Sequence, residues 1–411
     1  MPNRRPRVLI SGASVAGPVL AYWLQRFGFR PTVIERTAQP RFGSGGHAVD
    51  LFDPAVELMS WMGVLGRVEQ ARTPTQLIEF VRTRGRSVSA PAELGSEGVA
   101  DRHLEIMRGD LAKILYEATC DDMPYVFDDS ITGVQDEPDG VHVTFERGRP
   151  DTFDLLVGAD GLHSITRRLV FGPEREFSRF LGGYLAVFTV PNFLDLHGRL
   201  VGFAVPGRTA ALYPVGDDSQ ARTVFLWRAD RLHEYDRHDL GAQRRLLHGL
   251  YGDLGWEVPR LLSELDHADD LYLDSISQVV MEDWTRGRVA LVGDAGYSPG
   301  AAVGGGTSLA VIGAYLLASE LVKAHGDHLQ GFAAYQRVLA PVVRHSRDVG
   351  PASMKLVIPA TRTQLWAMAQ GIRLLPHLPK AVRRRLTAFG GSAAAMLNAA
   401  RLTHPDELPR L

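Results

Sequence analysis

An apolar run at residues 7–11 leads directly into Gly12-Ala13-Ser14-Val15-Ala16-Gly17, and a helix-periodic stretch follows over 15–27. That order predicts a strand, a tight turn and a helix. Gly12 permits the sharp reversal, position 14 lies against whatever the turn binds, and Gly17 lets the helix pack closely on the strand. A helix that starts this way presents unpaired amides and a partial positive charge at Val15 and Ala16, a setting that favours a phosphate. Ser14 stands where the strict pattern has its second glycine, yet it is small enough to let a diphosphate approach and can donate a hydrogen bond.

After Gly28 ends the helix, a second strand is expected over 32–35, finishing on Glu35, with Arg36 next to it as a further cofactor-binding candidate. An acid at a strand end about 20 residues beyond the glycine turn accepts hydrogen bonds from a ribose diol. The two features together point to half of a doubly wound domain that binds an adenine dinucleotide. Two later segments repeat the pattern of strand and polar turn. One is Asp154-Leu155-Leu156-Val157-Gly158-Ala159-Asp160-Gly161, with Ser164 and Arg167 behind it; the other runs through 289–292 into Gly293-Asp294-Ala295. A doubly wound sheet collects its ligand contacts at such strand ends.

The intervening sequence has a different character. Alternating patterns predict strands at 77–88, 185–190, 201–205, 210–215, 223–228 and 271–280, with a helix at 242–251, and a turn at 136–140 joins paired strands over 126–145. Helices are expected at 54–72, 109–120, 307–325, 329–347, 361–375 and 381–402, the last three separated by Pro351, Pro359, Pro376 and Pro379. The expected fold class is α/β: a Rossmann-type nucleotide domain (1–72, 101–175 and 281–330) with an inserted, mainly antiparallel substrate domain (73–100 and 176–280) and a C-terminal helical region (331–411).

With its three ordered motifs, and with runs such as Ala21-Tyr22-Trp23-Leu24 and Ile106-Met107-Arg108-Gly109-Asp110-Leu111, the chain resembles the class A flavoprotein monooxygenases of the para-hydroxybenzoate hydroxylase type over about residues 6 to 350. It is most similar to the branch of tetracycline-inactivating oxygenases and aromatic-polyketide hydroxylases. The resemblance implies FAD as cofactor, with the glycine turn and Glu35 holding its ADP half. Arg108 would lie near the diphosphate and ribityl chain, and Asp160 in a motif linked to both FAD and NAD(P)H. Asp294 would lie beside the ribityl or diphosphate, and Gly304-Gly305-Gly306 at a helix entrance facing the pyrimidine edge of the flavin. It further implies that NADPH or NADH reduces the flavin, that O₂ adds at its C4a carbon, and that the hydroperoxide passes one oxygen to a small aromatic or polycyclic substrate. A phenol would be hydroxylated and a ketone would take a ring oxygen. The family usually has a proline where this chain has Ala301, so the glycine loop is less fixed, with Pro299 as partial compensation.

A catalytic base is not evident. His47, in Gly45-Gly46-His47-Ala48-Val49-Asp50, falls where the resemblance brings the chain close to the flavin ring and is the candidate contact to flavin or substrate. Tyr213, Trp227 and Arg228 lie on expected strands of the substrate domain, where aromatic residues more often form core. Met354, Trp366, Met368 and Met396 have helical spacing and read as packing. Two other readings keep this fold: a flavoprotein that catalyses reduction, dehydration or rearrangement, supported by Ala301, and a non-catalytic ligand-sequestering shell.

Composition limits the partners. The net charge of −2 is spread along the chain and offers no basic stripe for nucleic acid. Cys120 is the only cysteine, which excludes an internal disulfide and any cysteine-clustered metal site and suits the cytoplasm. Arg4-Arg5-Pro6-Arg7 before an apolar run mimics a secretory signal, but the strand, turn and helix that follow explain it better. The uncharged stretch 301–319 reads as a buried helix with a glycine-rich start rather than a membrane span. A monomer or homodimer acting on small molecules is expected.

Overall fold

The structure is a computed structural model that describes residues 4–40, 42, 46–81, 87–92, 102–216, 219–232, 239–301, 304–379, 382–383 and 402–411. The first three elements are β1 (Arg7–Ser11), α1 (Ala16–Arg26) and β2 (Arg30–Glu35), as the glycine turn predicts. β1 is the centre of a six-stranded sheet. Beside it run Leu155–Gly158 and then Val289–Leu291 on one flank, and β2 and then Tyr125–Phe127 on the other, all parallel. Thr285–Arg286 closes one edge in the antiparallel sense.

The register of this sheet brings the motifs together. Ser11 pairs with both Gly158 and Ile34, and Gly158 also pairs with Leu291. The residues next after these pairs, Gly12, Ala159, Glu35 and Val292, therefore emerge side by side at the carboxyl edge, where such sheets bind ligands. The apolar helix Gly306–Lys323 packs against α1. Trp23, fully buried, stacks on Phe27 at 5.8 Å and meets Tyr315 edge-on at 4.9 Å. Burying a large apolar side chain of this kind contributes about 1.5–3 kcal/mol. This helix has the length and apolarity to cross a membrane, and most of its side chains are spent on the core instead.

A seven-stranded sheet has the order Tyr272–Val279, Ser178–Pro191, Gln220–Arg228, Arg208–Val215, Arg199–Val205, Leu77–Val81, Ser87–Pro91. It is antiparallel except where Leu77–Val81 runs parallel to Arg199–Val205. The single strand expected over 77–88 is thus two paired strands. One face of this sheet, with Tyr184, Phe188, Phe225, Trp227 and Leu273, packs on the helices Leu240–Tyr251 and Val258–Leu265. The second of these helices has no counterpart among the expected elements. The opposite face carries Leu185, Val187 and Ile276, against which Met354 and Ile358 pack.

Two further differences matter for the site. Ala48–Phe52 and His103–Met107 form a two-stranded antiparallel ribbon that sequence patterning did not predict, because each strand mixes polar and apolar residues over only five positions. The helix expected to stop at Arg347 runs from His328 to Val357 through Pro341 and Pro351. Proline removes one backbone donor and disturbs the preceding turn, but here the far end is held by tertiary contacts. Arg228 donates to the Ile358 and Met354 carbonyls at 2.6 and 2.9 Å. Of the helix expected over 381–402, only Val382, Arg383 and Leu402 lie within the described residues, and Met396 lies outside them.

Candidate functional site

The glycine turn is as close as its residue types allow. Gly12 has φ +111°, and a Cβ there would sit 2.4 Å from the Ala159 carbonyl oxygen. A Cβ on Gly17 would lie 1.9 Å from the Gly12 carbonyl oxygen, so neither position accepts a larger residue without moving backbone. Val15 is the N-cap of α1 and no side chain caps that end, leaving its amides for a ligand. Ser14 faces Arg108, whose Nε donates to the serine Oγ at 3.4 Å.

Glu35 ends β2 beside this turn. Its Oε2 accepts from the Ala13 amide at 3.0 Å, and its Oε1 accepts from the Thr37 amide and hydroxyl, each at 3.1 Å. The acid expected to meet a ribose is therefore also a brace for the turn. Arg36, next in sequence, is exposed.

Asp160 follows the neighbouring strand, and its carboxylate accepts from the Thr166 amide at 2.9 Å and the Thr166 hydroxyl at 3.0 Å, with Ser164 on its other oxygen. Its observed duty is to hold the start of the helix Ile165–Val170 against the sheet. Arg167, unlike its exposed neighbour Arg168, turns into the protein. It is fully buried and donates to the Ala295 and Leu162 carbonyls at 2.8 and 2.6 Å, tying the Asp160 loop to the Asp294 loop.

Asp294 opens a short helix after Gly293, whose φ is +66°. Its side chain is open to solvent, yet protein surrounds it closely enough that burial raises its carboxyl above the ordinary value, against the opposing effects of Ser298, Arg108 and Arg167. An accessible group in an enclosed setting lines a cleft. Gly304 and Gly305 are left-handed at φ +71° and +73°, and Gly306 begins the long apolar helix without a side-chain cap. Pro299 lies against Gly306, and its carbonyl accepts from Gln278 Nε2 at 3.1 Å, which fixes the start of this loop. Ala301 is exposed within it.

The unforeseen ribbon positions His47. The His47 carbonyl accepts from the Arg108 amide at 3.3 Å, and the next amide, Ala48, donates to Tyr213 Oη at 3.0 Å. Ser308 donates to the Asp50 carbonyl at 2.9 Å and accepts from the Phe52 amide at 3.0 Å, pinning the ribbon to the helix start. The His47 Nδ1 is buried with no hydrogen-bond partner among the described residues. Burial first, and Arg108 second, lower the imidazole to about 4, so it is neutral at pH 7. A ring with so little proton affinity is suited to hydrogen bonding rather than to proton abstraction, in keeping with the contact to flavin or substrate expected of it.

Of the other candidates, Tyr213 is buried beside His47's strand, Trp227 stacks on Tyr184 at 5.2 Å in the outer core, and Arg228 anchors the long helix. Met354 is core and Trp366 is exposed. Sequence reasoning did not find His163, Asp274 and Tyr272, which meet through the fold, although His163 sits inside the Asp160 motif. The uncapped α1 amides, the close-packed glycines, the orphaned His47 nitrogen and the cleft-lining Asp294 together fit a flavin adenine dinucleotide.

Residues 5–344 match the FAD binding domain family. A flavin-dependent monooxygenase from an unknown prokaryotic organism is 39% identical over 351 residues, 85% of this chain and 88% of its own length. The crystal structure of tetracycline destructase Tet(51) superposes with a TM-score of 0.82 at 32% identity, covering 97% of this chain and all of its own. That of tetracycline destructase Tet(55) gives 0.78 at 36% identity, over 91% of this chain and 97% of its own. The chain belongs to the FAD binding domain family and, within it, to the class A flavin-dependent monooxygenases to which the tetracycline destructases are similar.

Proposed function

We propose that this protein uses NADPH or NADH and O₂ to place one oxygen atom on a small aromatic or polycyclic molecule, in the cytoplasm. The observation that carries this reading is the convergence of the residue 12–17 turn, Arg108, Asp160 and Asp294 at one sheet edge. When bound, the flavin supplies the reductive activation of O₂. The chain's own residues do the rest. The α1 amides and Ser14 would hold the diphosphate, with Arg108 beside it, and Glu35 would hold the adenosine ribose. Asp294 would hold the ribityl region, and the amides at Gly306 would face developing negative charge on the ring. Neutral His47 would orient flavin or substrate through Nδ1.

The face of the seven-stranded sheet that carries Tyr213 and Val224 would cover the substrate and exclude water, which otherwise diverts activated oxygen to hydrogen peroxide. Purified protein should be yellow, bleach anaerobically with NADPH or NADH, and incorporate one atom from ¹⁸O₂ into an accepted phenol, tetracycline or cyclic ketone. Failure of both nicotinamides to reduce bound FAD, with or without ligands that perturb its spectrum, would overturn the oxygenase reading in favour of a non-redox reaction on the same fold.

A further inference from the structure

The edge strand Tyr272–Val279 turns Tyr272 and Asp274 to the face of the sheet opposite Leu273, toward the nucleotide-binding sheet. There Tyr272 Oη donates to Asp274 Oδ2 at 3.0 Å. The same oxygen lies 2.8 Å from His163 Nε2, and His163 Nδ1 lies 2.9 Å from Glu174 Oε1. Four titratable groups thus form one unbroken hydrogen-bonded file. Its exposure runs from 36% at Tyr272 through 4% at Asp274 and 22% at His163 to 35% at Glu174, so both ends are the more open and Asp274 between them is buried.

The two ends open in different places. Tyr272 feels the charges of Arg108, which reaches Ser14 of the glycine turn, and of Asp294, whereas Glu174 sits on a short surface turn, Glu174–Glu176. A pair that served only to join the two sheets would need His163 and one carboxylate. It would not need an open tyrosine at one end and an open glutamate at the other.

We propose that Tyr272, Asp274, His163 and Glu174 are a proton wire between the flavin cleft and bulk water, with Tyr272 as its terminal donor and the other three as positioning and relay groups. The inference rests on the reading of the cleft as the redox site. When Tyr272 Oη turns from Asp274 and gives its proton to an acceptor in the cleft, imidazolium His163 gives its Nε2 proton to Asp274 Oδ2, which passes it to Tyr272 Oη. His163 is left neutral with its remaining proton on Nδ1; a turn of the ring brings that N–H to Asp274 and the bare nitrogen to Glu174, which takes a proton from bulk water and delivers it. One proton crosses, and Tyr272, both carboxylates and the imidazolium end as they began; export is the reverse.

The charges facing the wire suit this. Burial alone would lower His163, but its hydrogen bonds to Asp274 and Glu174 outweigh that and hold the imidazole above its ordinary value. Burial and Asp274 raise the Tyr272 hydroxyl, opposed by Arg108, so tyrosinate does not accumulate. Arg167 is the further cation that senses Glu174, and Asp294 the further anion that senses Tyr272.

The test reads electrons and protons in the same sample. FAD-loaded protein is reduced anaerobically with reduced methyl viologen, which delivers electrons without protons, in weak buffer containing phenol red, while flavin bleaching and proton uptake are followed by stopped flow. The two should coincide in the natural protein, and uptake should lag bleaching at least tenfold in Tyr272→Phe and in Glu174→Gln, a mild change at the surface end. Added imidazole should abolish the lag in His163→Gly. Uptake that keeps pace with bleaching in both Tyr272→Phe and Glu174→Gln would overturn the wire. A second readout needs no flavin: in ¹⁵N-histidine-labelled apoprotein, Tyr272→Phe should shift the His163 titration, because both groups share Asp274 Oδ2. An unchanged titration would overturn the wire even if the chain proved to bind no reducible flavin, an outcome that would separately sink the oxygenase reading.

Discussion

The Ala13 amide donates to Glu35 Oε2 across 3.0 Å, so the acid at the end of β2 braces the turn that starts α1. One carboxylate thereby serves two tasks. It shapes the glycine turn and stands where an adenosine ribose is recognised.

Glu35→Ala should weaken FAD binding by about 1–3 kcal/mol, the range for lost hydrogen bonds to a charged acceptor. It should also lower the melting temperature of the apoprotein, since the Ala13 and Thr37 donors lose their partner. Titration calorimetry with FAD and with FMN checks the assignment. FAD should bind more tightly than FMN in the natural protein, and that advantage should shrink in the variant.

Gly17→Ala and Gly304→Ala should differ sharply. The first puts a methyl 1.9 Å from a backbone oxygen, which moves the turn and removes both FAD and much of the stability. The second meets Asp50 only at 3.6 Å, so its cost is the left-handed backbone, about 1–2 kcal/mol, with the fold kept. Flavin content and denaturant unfolding of the two variants distinguish these outcomes; equal effects would contradict the geometry.

Asp294→Asn should give a folded protein poor in FAD but with a more stable apo form at neutral pH. The folded carboxyl is raised by burial, so its ionised form is disfavoured. Its favourable contribution is present below the ordinary value of 3.8 and is lost as pH rises through the folded value. The stability gain of the variant should therefore be seen at pH 7 and vanish below pH 3.8. Thermal melts of apoprotein across that range provide the check.

His47→Gln should flatten the acid limb of the stability profile. The folded imidazole sits near 4 against 6.5 unfolded, so the natural protein loses stability as pH falls through that window. The loss relative to the variant should reach about 3 kcal/mol, at about 1.4 kcal/mol per pH unit. Because the ring is neutral at pH 7, FAD affinity of the natural protein should show no inflection near pH 6.5 from this residue. Urea unfolding and FAD titration at several pH values test both statements.

Much of the nucleotide half was legible because its signals are local. Gly12, Gly17 and Gly28 report backbone geometry directly, and the apolar runs over 7–11 and 155–158 identify strands buried on both faces. The alternating strands of the larger sheet were legible for the same reason. The ribbon of Ala48–Phe52 and His103–Met107 was not: its partners are far apart in sequence, and each strand is only five residues long. The same holds for Arg167, whose burial depends on two carbonyls brought from separate loops.

The sequence by itself determined a dinucleotide turn, an acid at the end of the next strand, two further polar turns and a strand-rich insertion, because each is set by steric rules acting over a few residues. Only the tertiary structure decided that buried His47 is neutral, with its Nδ1 unpartnered among the described residues, and that Tyr272, Asp274, His163 and Glu174 form one file. Burial, protonation and hydrogen-bond partnership are properties of groups that meet across the fold, and no local pattern encodes which groups those are.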